Sequence, residues 1–136
     1  MPRLVEISLL VGVLLASGSS RAENATYINA YQPFRGPVGY ADDSIKTIFY
    51  VETDGRHLSA IGFDGKVFWT RDPFADARLT PYRVDNPKII WVGKPLPWML
   101  KPHGDPNHHY VAIGFDSTQS GIVDTSTGEF LFLGQD

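Results

Sequence analysis

Cysteine is absent from all 136 residues of this chain, so no disulfide can hold the fold and no thiolate can bind a metal or act as a nucleophile. Uninterrupted helical patterns are also lacking after the first 22 residues, because prolines and glycines break every longer window. A surplus of positive charge is lacking too, since 12 Lys and Arg oppose 15 Asp and Glu. This balance argues against a nucleic-acid-binding protein, which normally presents a basic patch.

The first 22 residues have the three-part layout of a secretory signal peptide. An early arginine is followed by an apolar run over residues 7–16, and Ser20 and Ala22 place small residues before the expected cleavage point. The run is too short for a membrane-spanning helix, which needs about 20 residues. The alternative is an N-terminal helix packed on the domain. We expect a cleaved signal over residues 1–22 and a periplasmic or extracellular mature chain without a transmembrane span.

Short aromatic and β-branched runs separated by turn residues predict an all-β domain over residues 23–136. Residues 47–71 contain two Asp-Gly pairs between three apolar runs, and Asp-Gly suits the positive φ angles of a type I′ turn. This segment is therefore predicted to form a three-stranded antiparallel meander. Further strands are expected over residues 88–93 and between residues 110 and 133. Antiparallel hairpins of this kind predict a small sandwich, barrel or propeller-like sheet.

The segments between these strands are predicted from their proline content and periodicity. Residues 94–107 contain four prolines and are expected to be an ordered loop or an extended crossover, because proline cannot donate to a β ladder. One helical turn is expected around residues 74–78. Residues 23–41 are expected to cover a sheet edge or to pack as a strand.

One eight-residue pattern occurs twice in the chain. Residues 57–64 read HLSAIGFD and residues 109–116 read HYVAIGFD. A repeat at this spacing indicates propeller blades or duplicated sheets, and convergence on one strand–turn shape explains it equally well.

The β regions resemble the strand–turn–strand repeat of quinoprotein-type (PQQ-like) β-propellers, which reads roughly Ala-x-Asp-x-x-Thr-Gly-x-x-x-Trp. The region from Ala60 to Trp69 is one residue shorter than the repeat and has Gly62 where the family has Asp. The resemblance implies glycine-turned hairpins whose large aromatic residue docks on a neighbouring sheet. A full propeller needs at least about four blades, and the resemblance implies no quinone and no catalytic residue here. The residues at the family's spacings in the second region are Ile122, Asp124, Thr127, Gly128 and Phe132.

A histidine-rich loop supplies candidate metal ligands. His103, Asp105, His108 and His109 lie within the segment HGDPNHH, and imidazole and carboxylate groups bind zinc or copper. Against a metal site, His108 and His109 are neighbours, and their side chains point apart if a strand begins there. The loop is therefore either a zinc or copper site or a solvated turn.

Four aromatic residues in or beside proline-rich segments are candidate contact residues: Trp98, Tyr82, Trp91 and Phe74. Trp and Tyr dominate affinity at protein interfaces, although the same residues could fill the core of a small domain without disulfides. Trp98, between Pro97 and Met99, is the leading candidate.

A catalytic function has less support in the sequence than a binding function. Ser59 and His57 share a strand face, and Glu52 could join them across the strands, but no Gly-x-Ser-x-Gly elbow occurs. The predicted function is an exported non-catalytic binding protein, such as an inhibitor, an immunity-type protein or an assembly accessory. It would use the loop aromatics to contact another protein or an envelope component, without a cofactor. The alternative is a periplasmic metal-binding protein that uses the histidine loop.

Overall fold

The computed structural model describes residues 37–136, and most of this range is antiparallel β structure. The predicted signal peptide and residues 23–36 lie outside the described range. Each of the two sheets is a four-stranded meander in which every strand pairs with the next one along the chain, which confirms the all-β fold class in a sandwich-like form. The strands are β1 (Val38–Asp42), β2 (Thr47–Val51), β3 (Leu58–Gly62), β4 (Val67–Arg71), β5 (Ile89–Gly93), β6 (Tyr110–Phe115), β7 (Ser120–Asp124) and β8 (Phe130–Gly134).

Both Asp-Gly pairs form turns as predicted, but neither turn is of type I′. Only the glycine has a positive φ in each pair, +72° at Gly55 and +91° at Gly65, whereas type I′ needs a positive φ at both central residues. The side chains of Asp54 and Asp64 instead accept hydrogen bonds from the backbone N–H two residues further on. These side-chain bonds stabilise turns longer than two residues.

Two single-turn helices connect the strands. The first, α1 (Pro73–Asp76), lies where a helical turn was predicted, and the Asp72 side chain accepts a hydrogen bond from the Ala75 N–H at its start. The second, α2 (Pro97–Leu100), lies inside the segment predicted to be a loop or extended crossover. Proline suits the first turn of a helix, where its missing N–H has no partner to lose. The proline content therefore misled the prediction for this segment.

One hydrophobic core lies between the two sheets. Phe49 and Leu58 of the first sheet pack with Val111, Ile113 and Phe115 of the second, and all five are buried. Their side chains alternate with outward-facing residues along each strand, as the period of two requires. The closest approach of the two sheets is between their first strands, β1 and β5.

Two side chains of β4, the last strand of the first sheet, contact the turn between β7 and β8 of the second sheet. The indole Nε1 of Trp69 donates to the Thr125 carbonyl at 2.8 Å, and the Arg71 guanidinium donates to the Thr127 carbonyl at 3.0 Å. A Cβ added at Gly128 would lie 2.6 Å from the Arg71 side chain and 2.9 Å from the Trp69 ring. Glycine at this turn therefore allows the first sheet to pack closely on the turn between β7 and β8.

The repeated eight-residue pattern occupies different positions in the two sheets. Its first copy, residues 57–64, contains the third strand of the first sheet, and its second copy, residues 109–116, contains the second strand of the second sheet. Ala60 packs in the core between the sheets, whereas Ala112 belongs to a separate cluster on the other side of its sheet. The two copies therefore present opposite faces, which favours convergence over duplication of a whole sheet.

Within residues 37–136, no helix has the length and the apolar character that crossing a membrane would require.

Candidate functional site

The second sheet has an apolar face that points away from the first sheet. Ala112 and Ile122 are side by side on β6 and β7, and both are fully buried although they lie outside the main core. Met99 of α2 packs over them, with Tyr110 and Leu133 beside it. The short helix therefore covers the middle of this face, which we call the outer face of the second sheet.

The two edge strands leave large apolar side chains exposed on the same face. Trp91 on β5 is 44% exposed and Leu131 on β8 is 42% exposed. The Trp91 ring lies across the glycines of its own and the neighbouring strand, because a Cβ added at Gly93 would meet it at 2.9 Å and one at Gly114 at 3.7 Å. Glycine at position 93 is what allows this close approach of the indole to its own strand, whereas a Cβ at position 114 would make only an ordinary contact with the ring.

Helix α2 adds further apolar surface. Met99 faces the sheet, whereas Trp98 is 55% exposed and Leu100 is 38% exposed on the other sides of the helix. Leu96, the residue before the helix, is exposed as well. The outer face of the second sheet, α2 and the residue before α2 thus carry exposed large apolar residues, which we call the contact surface. The members of this contact surface are Trp91, Leu96, Trp98, Leu100 and Leu131.

The other two predicted contact residues lie elsewhere. Phe74 is a core residue, only 7% exposed, and packs edge-on against Phe115 with the ring centroids 5.7 Å apart. Tyr82 is half-buried, and its hydroxyl donates to the Asp136 carbonyl near the end of the chain. Trp91 on β5 and Trp98 on α2 are thus exposed, whereas Phe74 is buried and Tyr82 is half-buried.

The histidine loop does not gather its side chains around one point. The His109 Nε2 lies 2.7 Å from the Asp42 carboxylate, whereas the His108 ring is hydrogen-bonded to Asp124. His103 and Asp105 are exposed. Among residues 37–136, no three His, Asp or Glu side chains form a group that could hold a metal ion. The neighbouring histidines point to different carboxylates, as expected at the start of a strand.

The histidine–carboxylate pairs also change the ionisation of their members. The hydrogen bond to Asp124 and the charge of that carboxylate raise the pKa of His108 above its ordinary value of 6.5. Burial pushes the pKa of Asp42 upward, but hydrogen bonds from Ser44 and His109 outweigh it and lower that pKa below 3.8. The His109–Asp42 pair links the beginning of β6 to the end of β1, so it ties the two sheets together.

A shallow polar depression lies on the face of the first sheet that points away from the core. The Ser59 hydroxyl donates to Glu52 at 2.8 Å and lies 2.8 Å from the Thr70 hydroxyl, which must donate to it in turn. The His57 ring is hydrogen-bonded to Asp54. Ser59, His57 and Glu52 all line this depression. Ser59 is hydrogen-bonded to Glu52 and His57 to Asp54, so no hydrogen bond joins the serine to the histidine. This arrangement does not activate a nucleophile.

The His57–Asp54 pair predicts a measurable titration. Hydrogen bonds from the His57 and Arg56 N–H groups hold the pKa of Asp54 at about 2, and the hydrogen bond to Asp54 raises the pKa of His57 above 6.5. We expect the mutation Asp54→Asn to return the His57 pKa towards 6.5, measured from the imidazole NMR shifts across pH. Because the folded-state pKa is raised, the stabilisation is present below 6.5 and is lost as pH rises through the folded value.

Asp64→Asn is the matched control for this titration, because Asp64 occupies the other Asp-Gly turn and caps Lys66 without a histidine partner. It should leave the His57 pKa unchanged. An equal fall in both variants would mean that a general loss of negative charge, and not the Asp54 contact, sets the His57 pKa.

Comparisons with family models, with curated proteins and with solved structures found no match for this chain. The resemblance of its hairpins to the quinoprotein-type repeat therefore stays a prediction.

Proposed function

We propose that this chain is an exported, non-catalytic binding protein whose contact surface consists of Trp91, Leu96, Trp98, Leu100 and Leu131. The observation that carries the proposal is the exposure of two tryptophans and three leucines on the edge strands of the second sheet and on and beside helix α2. Tryptophan supplies much of the binding energy at protein interfaces, where a rigid ring is removed from water.

The two tryptophans are held by rigid secondary structure, as the contact residues of a binding site usually are. Trp91 lies on paired strands and rests on glycine backbone, and Trp98 belongs to a helix anchored by the buried Met99. Side chains held by rigid elements lose little conformational entropy when they bind. The proposed partner is therefore a protein with a complementary apolar surface, met in the periplasm or outside the cell.

Site-specific photo-cross-linking tests this proposal. A photoreactive phenylalanine analogue replaces Trp98 in the full chain, which is expressed in its own host and irradiated. We expect a covalent adduct with a polypeptide, detected as a discrete shift on a gel and identified by mass spectrometry. The mutation Trp91→Ala should weaken the adduct several-fold, because it removes the neighbouring anchor.

The same analogue at Asp85 is the matched control. Asp85 is exposed and lies in the connection between α1 and β5, outside both sheets. An adduct of equal strength at position 85, or no adduct at position 98, would contradict a binding role for this surface.

A further inference from the structure

The two sheets face in the same direction, so that corresponding faces do not meet each other. The hydrogen bonds of the second hairpin of each sheet demonstrate this. The Glu52 N–H donates to the His57 carbonyl at 2.8 Å in the first sheet, and the Phe115 N–H donates to the Gln119 carbonyl at 2.9 Å in the second. In a strand of L-residues, the direction of the N–H fixes the face on which the side chain lies. Glu52 and Phe115 are therefore equivalent positions. Phe115 nevertheless points into the core, whereas Glu52 points away from it.

The third hairpins give the same result. The Gly62 N–H donates to the Lys66 carbonyl at 2.7 Å, and the Asp124 N–H donates to the Glu129 carbonyl at 2.9 Å. Gly62 lies on the same side of its strand as Ala60, which faces the core. Asp124 lies on the same side of its strand as Ile122, which faces outward. The outer face of the second sheet is thus equivalent to the face with which the first sheet packs. In a sandwich with two-fold symmetry, equivalent positions of both sheets would face the shared core. Here an equivalent position faces the core in one sheet and faces away from it in the other.

Within residues 37–136, this stacking leaves one face of each kind that the other sheet does not cover. The outer face of the second sheet carries Trp91 and Leu131 around the strip covered by Met99. The outer face of the first sheet presents Ile48 at 37% and Val67 at 55% exposure, with Ile61 half-buried between them. The outer face of the first sheet also carries the polar group of Glu52, Ser59 and Thr70 beside these apolar side chains. The existing contact between the sheets already joins one face of each kind.

We propose that a second copy of this chain docks the outer face of its first sheet on the outer face of the second sheet of its neighbour. The inference rests on the proposed function, because it names the partner of that same contact surface. Such an interface is heterologous, so the same step can be repeated from copy to copy. The backbones of the two sheets neighbour each other mainly along β1 and β5, so we infer that the repeated step follows a curve and can close into a ring. Propellers close with about four to eight sheets, which corresponds to roughly two to four copies.

The first measurement is the mass of the full chain in solution by sedimentation and light scattering over a wide concentration range. The expected result is an assembly of roughly two to four copies, by the sheet count of closed propellers. A chain that stays monomeric at every concentration would overturn the inference.

Two charge substitutions then identify the faces. Leu131→Glu places a carboxylate on the outer face of the second sheet, and Val67→Glu places one on the outer face of the first. Both side chains are exposed, so neither substitution should lower the melting temperature of the individual folded chain. Each variant alone should be monomeric, because each has lost one of the two faces. An equimolar mixture should form a one-to-one dimer, because each variant retains the face that the other lacks.

The mixture also separates this inference from the proposed function. A monomeric chain whose position-98 adduct contains a different protein would overturn self-assembly and leave the binding function intact. A one-to-one dimer in the mixture, with an adduct containing this chain's own peptides, supports both. Variants that oligomerise as the unchanged chain does would place the contact on another surface and overturn the inference.

Discussion

Replacing Phe49 with alanine is expected to lower the free energy of unfolding by about 3–5 kcal/mol, the usual cost of a large aromatic in a packed core. Phe49 lies on β2, an inner strand of the first sheet, and its side chain is fully buried against the second sheet. Its ring lies 6.1 Å from the Trp69 ring, centroid to centroid. The truncation would leave a cavity beside the Trp69 indole, which joins the two sheets. The chain has no disulfide that could offset the lost stability. Urea denaturation of the full chain measures the change.

Ile48→Ala is the matched control, because the neighbouring side chain on the same strand points the other way and is 37% exposed. Its cost should stay below about 1 kcal/mol, since little buried area is lost. Equal costs for the two substitutions would mean that the shared core does not lie between the sheets as described.

The hairpins could be predicted because their signals are local. Each Asp-Gly pair in residues 47–71 supplies a residue that tolerates a positive φ between two runs of β-forming residues, and strand pairing follows from that short range. The turn between β7 and β8 has a similar signal, with Gly128 at a φ of +80°, whereas the turn between β6 and β7 has its positive φ at Thr118. The turn type was wrong because the aspartate side chains cap the backbone and stabilise longer turns.

Helix α2 shows where local signals fail. Four prolines in residues 94–107 argue against regular structure, yet one of them begins the helix, where proline costs nothing. What holds the turn is the burial of Met99 against Ala112 and Ile122. This contact joins segments distant in sequence, so no local pattern could reveal it.

The exposure of the candidate contact residues could be predicted only in part for the same reason. Residue type and proline context selected the exposed Trp91 and Trp98, but also the buried Phe74. Whether an aromatic in such a context is exposed depends on the element that packs against it, which for Phe74 of α1 is β6 through Phe115. Leu131 could have been found from the alternation of β8, since it pairs with the outward-facing Ile122, but the direction of that alternation depends on the sheet–sheet packing.

Gly121→Ala is expected to destabilise the protein by about 3 kcal/mol, at the upper end of the range for overpacked cores. A Cβ at this position would lie 2.2 Å from the Leu131 carbonyl oxygen and 2.6 Å from the Phe130 ring. The carbonyl belongs to the backbone of β8, so relief requires the strand to move away. The pairing of β7 and β8 is already irregular between Ser120 and Gly121. Thermal unfolding should therefore begin at a lower temperature, by roughly 12 °C or more for a domain of this size.

Gly114→Ala tests whether the effect is specific to this position. Gly114 is a strand glycine on the neighbouring β6, but an added Cβ would meet only the Trp91 ring at 3.7 Å, an ordinary contact. Alanine there should be neutral or slightly stabilising, because it reduces the entropy of the unfolded chain. Similar losses in both variants would point to a general intolerance of β6 and β7. A loss confined to Gly121→Ala would show that the ring of Phe130 and the edge strand β8 depend on the missing side chain, and with them the position of Leu131 on the contact surface.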